Sequence, residues 1–195
     1  MNVAVRTDKK QQQYRNKIHP KKFALYAACA SITMMFVAFT SAYIVRHAAG
    51  NWLEFSMPSV FFYSTAIIVL SSLTLHGAYF SFLKGAPTLY RSLLVVSFCL
   101  GVAFVLLQYQ GWLALTAIGV ELTGNPSGSF VYVISGVHAA HVLGGLAAIF
   151  VALLHAFLLE YKVTPARKLR FEMTWTYWHF VGFLWVSLLA FFVSQ

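Results

Sequence analysis

Five stretches free of Asp, Glu, Lys and Arg divide this chain: Phe23–Val45, Phe55–Leu83, Ser92–Val120, Leu122–Leu159 and Met173–Gln195. A helix needs about 20 apolar residues to cross a hydrocarbon core of about 30 Å, and every stretch reaches that length. The spacing therefore predicts an all-α, polytopic membrane protein with a bundle of five transmembrane helices. The fourth stretch is overlong, but it opens with the turn-forming run Thr123-Gly124-Asn125-Pro126-Ser127-Gly128-Ser129, so its helix is expected to begin near Ser129. The expected helices are about 22–46, 57–84, 89–117, 129–161 and 171–194, within a transmembrane domain of residues 22–195. Residues 1–21 form a basic N-terminal segment, expected to be disordered over about 1–18 from its Lys and Gln content.

Composition agrees. Hydrophobic residues make up 59% of the chain and charged residues 10%, against roughly 25% charged in a soluble domain. The net charge of +9 would raise nucleic acid as a partner, but its distribution excludes that reading. Seven of the 14 basic residues lie in the first 22 positions, and most others sit in two short segments. Basic residues beside apolar spans set topology and contact anionic head groups. With the N-terminus cytoplasmic, the segments Lys84–Arg91 and Tyr161–Phe171 are cytoplasmic too, and only Arg46 of the 14 falls on the other side. The C-terminus is then expected on the side opposite the N-terminus. Cys29 and Cys99 fall inside apolar runs with no ligand spacing, and read as small buried residues. The first apolar run follows a long basic segment and is too long for a signal peptide, so it is expected to persist as an anchor.

A bundle without chemistry needs only Leu and small residues, so the polar exceptions carry the information. They are His76, His138, His141, His155 and His179, with Glu172 entering the fifth helix and Glu160 ending the fourth. His138 and His141 are three apart and share a helix face; Glu172 and His179 are seven apart, two turns along one face. Pairing the two faces would satisfy these groups inside the bundle. Three readings stand: a metal site, a proton path, or a hydrogen-bonded cluster that fixes helix packing, which the residues favour. Gly136, Ala139, Ala140, Gly144, Gly145, Ala147 and Ala148 leave little bulk along the fourth helix and suggest close backbone approach there.

The run Val133-Ile134-Ser135-Gly136-Val137-His138-Ala139-Ala140-His141-Val142-Leu143-Gly144-Gly145 resembles the Gly-x-His-x-x-His-x-x-x-Gly segment of subunit III of the haem-copper oxidases. Glu172, Tyr177-Trp178-His179-Phe180-Val181 and Trp185 resemble the last helix of that family, and Gln108 and Trp112 fit its pattern in the third. The resemblance covers roughly residues 22–195 and suits the short, five-helix bacterial-type form. It implies a non-catalytic subunit of a terminal oxidase that reduces oxygen to water and pumps protons. Such a subunit carries no cofactor of its own, since haem and copper reside in subunits I and II. It packs beside subunit I, holds phospholipid in a cleft and supports proton uptake during sustained turnover. No catalytic or metal residue is expected; His138, His141, Glu172, Trp178 and His179 are the expected polar cluster and lipid cleft. Subunits I and II and membrane lipid are the implied partners, other respiratory complexes further candidates, and a bacterial cytoplasmic membrane the implied location. Three positions depart from the family: Ser31 and Gly182 stand where a carboxylate is common, and Gly111 precedes Trp112 where one is often found. These departures favour a scaffold over a proton wire. The wording of the fifth helix leans toward cytochrome c oxidases over quinol oxidases. A quinol oxidase subunit, a stand-alone membrane metalloenzyme using His138, His141, Glu172 and His179, and a small transporter remain the alternatives.

Overall fold

A computed structural model of the chain describes residues 19–195, and the segment expected to be disordered lies outside them. The described residues form five helices: α1 (Pro20–Ala48), α2 (Val60–Leu83), α3 (Pro87–Ala117), α4 (Pro126–Leu158) and α5 (Pro165–Ser194). Their 24 to 33 residues give lengths of about 36 to 50 Å at 1.5 Å per residue. All five are long and apolar enough to span a membrane.

The helix starts are written in proline. Pro20, Pro87, Pro126 and Pro165 each occupy the first turn of a helix, where the missing N–H costs nothing and the fixed φ suits the helix. Pro58, the remaining one of the five, accepts from Phe61 N at 3.1 Å just ahead of α2. Side-chain caps reinforce three of these starts: His19 accepts from Lys21 N, Asn125 from Ser127 N and Thr164 from Arg167 N. At the other ends, Gly85 and Gly119 take φ of +77° and +81° beyond α2 and α3, a left-handed geometry that glycine adopts without a Cβ penalty.

These caps move two boundaries away from those expected from the sequence. The fourth helix opens at Pro126 instead of near Ser129, because Asn125 already satisfies its first N–H groups. The fifth opens at Pro165 instead of near 171. Arg167, Lys168 and Arg170 therefore lie on the first turns of a helix, not in a loop.

Helices α2, α3, α4 and α5 form a closed ring in which each packs on its two neighbours, and α1 docks against the seam between α4 and α5. The α2–α3 pair is joined by a tight turn and packs along its length. Because α1 buries only Phe36 and Tyr43, it is the least embedded element. The core inside the ring is built around Trp178 and Trp185, both fully buried. Trp178 fits because Gly101 and Gly145 clear a slot on α3 and α4: a Cβ at either position would come within 2.9 Å of its indole. Its Nε1 donates to Ser71 Oγ on α2 at 3.1 Å. Thus one side chain of α5 locks the other three helices of the ring together. Outside the ring, Asn125 ties the α1–α2 connection to α4, accepting from Leu53 N at 3.3 Å and donating to Asn51 O at 3.4 Å.

Candidate functional site: polar assemblies and a basic-rimmed cleft

The polar residues singled out above do not converge on one cluster. They separate because α5 carries two working faces. Residues 172, 175 and 179 follow one helical stripe, facing α2; residues 178 and 185 follow another, facing α3 and α4.

At the basic end of the bundle, Glu172 gathers groups from three places. Its Oε2 lies 2.6 Å from Lys22 Nζ of α1, its Oε1 accepts from Tyr79 Oη of α2 at 2.8 Å, and Lys168 Nζ one turn back on α5 is 3.9 Å away. The carboxylate is only partly exposed, and this pairing compensates the charge it carries near the apolar span. The partners expected from sequence, His138 and His141, play no part in it.

One turn deeper, Tyr79 stacks on Trp175 with ring centroids 5.5 Å apart. Trp175 Nε1 donates to His76 Nδ1 at 3.2 Å. The His76 ring in turn lies 5.9 Å from that of His179, whose Nε2 is buried without a protein partner. His179 therefore belongs with α2, not with α4.

His138 is fully buried in an aromatic box. It stacks on Trp185 at 5.2 Å and meets Phe36 and Phe104 edge-on, both at 6.2 Å. Neither ring nitrogen has a protein hydrogen-bond partner. His141, one turn on, points its Nδ1 at Val137 O within its own helix at 2.7 Å and packs on Phe36. The expected pairing of Glu172 and His179 with His138 and His141 is thus replaced by three separate assemblies, and α4 meets α5 through Trp178, Trp185 and Tyr177. Among the described residues no three His, Cys, Asp or Glu side chains come together as a ligand set. The four-residue metal site weighed from sequence has no geometric basis here.

The three departures each have a local explanation. Ser31 bonds back to Ala27 O of its own helix at 3.0 Å and faces outward. At Gly111 a Cβ would fall 2.7 Å from the Phe61 ring, so a carboxylate there would displace a fully buried aromatic. Gly182 lies against Ser72, whose Oγ would be 3.2 Å from a Cβ.

A cleft of about 600 Å³ opens between α1, α4 and α5 at the basic end. Its walls are apolar, from Leu25, Ala147, Ala148, Val151 and Ala152; its rim carries Lys21, His155, Arg167 and Arg170. The alanines noted for close packing thus serve here to leave space. Sequence reasoning missed Tyr79, Lys22 and Ser71, whose roles arise from tertiary neighbours. A weak signal existed for Tyr79 alone, a hydroxyl one turn from an intramembrane His.

Comparison with known proteins decides the family. The model of cytochrome c oxidase subunit III matches residues 30–194, from the first helix to the last. The chain belongs to the cytochrome c oxidase subunit III family. A probable cytochrome c oxidase subunit 3 of Nocardia farcinica is 32% identical over 171 residues, covering 83% of this chain and 81% of the relative. The corresponding Mycobacterium tuberculosis protein is 32% identical over 124 residues, 64% of this chain and 60% of its own length. Cytochrome c oxidase subunit 3 of Lumbricus terrestris is 28% identical over 134 residues, and there the match spans 49% of the relative. In subunit III terms, the assemblies described above lie inside the matched region except for Lys22, and the basic rim draws on Lys21 outside it. The chain is a multi-pass, all-helical member of the family.

Proposed function

We propose that this chain is the cofactor-free subunit III of a bacterial cytochrome c oxidase, seated in the cytoplasmic membrane with its N-terminus and basic rim on the cytoplasmic side. It packs beside the haem- and copper-bearing subunits I and II. The carrying observation is the family match running through all five helices, supported by relatives whose names specify cytochrome c oxidase. Those names also favour cytochrome c over quinol as the electron donor.

Within that complex the chain holds lipid and steadies the catalytic subunit during turnover. The cleft between α1, α4 and α5 suits one class of ligand. An anionic phospholipid would set its phosphate among Lys21, Arg167 and Arg170 and its acyl chains along the alanine-rich wall of α4, combining charge attraction with apolar burial. Arg167 is already oriented by Glu160 O.

Deletion and complementation test the reading. An oxidase lacking this chain should still reduce oxygen at first but lose activity progressively during turnover, and restoring the chain should restore endurance. Unchanged turnover lifetime without the chain would reject the supporting role.

A further inference from the structure

The α2–α5 surface carries a polar group that its own bundle leaves facing outward. His76 is exposed, although it stands seven residues before the end of α2 at Leu83, about 10 Å along the axis into the span. Indole nitrogen only donates, so the contact from Trp175 Nε1 makes His76 Nδ1 an acceptor. The ring proton is therefore on Nε2, and that N–H has no hydrogen-bond partner among the described residues although the side chain is exposed. Polar groups at membrane depth sit at protein interiors or interfaces because lipid tails supply no acceptor.

Around it, exposed apolar side chains form two helical stripes. On α2, Val69, Leu73, His76 and Phe80 recur at intervals of four, three and four, so they line one narrow stripe; the three apolar members are 44%, 61% and 45% exposed. On α5, Phe183 and Val186 continue the stripe that His179 begins, 73% and 38% exposed. The two stripes run side by side because α2 and α5 are ring neighbours, and the His76–His179 contact fixes their register.

We propose that this face seats a transmembrane helix of another chain of the oxidase assembly, and that this helix places a hydrogen-bond acceptor, a hydroxyl or carboxylate, against His76 Nε2. The proposal rests on the subunit III reading and deepens it by naming the docking face. Charge-free depth and the donor at His76 select the partner's chemistry: an apolar helix with a single acceptor, not a basic or amphipathic peptide.

Photo-crosslinking in the intact complex tests this. A photoreactive benzoyl-phenylalanine at Leu73 is compared with one at Leu106 on α3, which is also exposed. Expected is a Leu73 adduct that mass spectrometry maps to a membrane-spanning peptide with an acceptor side chain, absent from Leu106. His76→Phe should abolish that adduct, whereas His76→Gln, which keeps a donor near the Nε2 position, should retain it. Co-purification of haem is scored in the same sample. Lipid adducts alone at Leu73, in a complex that still carries haem, would overturn the docking face and leave the subunit III reading standing. An adduct unaffected by His76→Phe would overturn the acceptor chemistry. A Leu73 adduct to a helix in a preparation without haem would overturn the proposal by removing the reading on which it rests.

Discussion

At the scale of single residues, the molecule is organised by where side chains are missing. Trp178 reaches Ser71 only because Gly101 and Gly145 leave room for its ring. Gly145→Val should therefore lower stability by about 1–3 kcal/mol through overpacking, read as a drop in Tm of the detergent-solubilised protein and weaker retention in its complex. Gly136→Ala is the control, since a Cβ there meets nothing within 4 Å, and its Tm should not fall. Both glycines sit in the same small-residue run of the sequence, which does not separate the one that makes a slot from the one that faces open space. That distinction depends on which large residue arrives from another helix. His138 was legible as buried and His141 as its neighbour on the helix face, yet their partners were not. The sequence suggested carboxylate and imidazole; the structure supplies Trp185, Phe104 and Phe36.

At the scale of elements, the five helices were legible because charge exclusion over a membrane thickness is a strong constraint. Their starts were legible in part, since every proline marks one, though the caps at Asn125 and Thr164 open α4 and α5 ahead of the expected positions near 129 and 171. Which helix faces which was not legible. A helix that is apolar all round has no pronounced moment to point its core side, and α5 in particular presents polar or aromatic groups on two faces. Glu172 shows the consequence. It ties α1 and α2 to α5, so Glu172→Gln should loosen that corner and not the α4–α5 contact. A double-mutant cycle with Tyr79→Phe is expected to return a coupling of about 1 kcal/mol in thermal unfolding. A cycle of Glu172→Gln with His141→Ala should return a value near zero, as the two belong to separate assemblies. Appreciable coupling between Glu172 and His141 would revive the pairing that the structure replaces.

At the scale of the whole molecule, a ring of four helices with a loosely attached fifth leaves a cleft instead of a sealed bundle. The cleft has a basic rim at one end and alanine-lined walls, the profile expected of a phospholipid seat. Replacing Arg170 and Lys21 by Gln should reduce the anionic phospholipid that survives purification, measured by phosphorus analysis or native mass spectrometry, and shorten the turnover lifetime of the complex. Unchanged lipid content would remove the cleft from the account. The function itself could be approached from sequence only through two motifs, in the fourth and fifth helices. Nothing in hydropathy, charge or spacing distinguishes an oxidase subunit from any other five-helix membrane protein. The most direct test of the central claim is extraction of an affinity-tagged chain in mild detergent, followed by identification of co-purifying chains and a reduced-minus-oxidised spectrum. The account predicts recovery with haem- and copper-bearing subunits and haem a-type or related absorption in the eluate. Recovery of the intact chain alone, colourless and without those subunits, would contradict it.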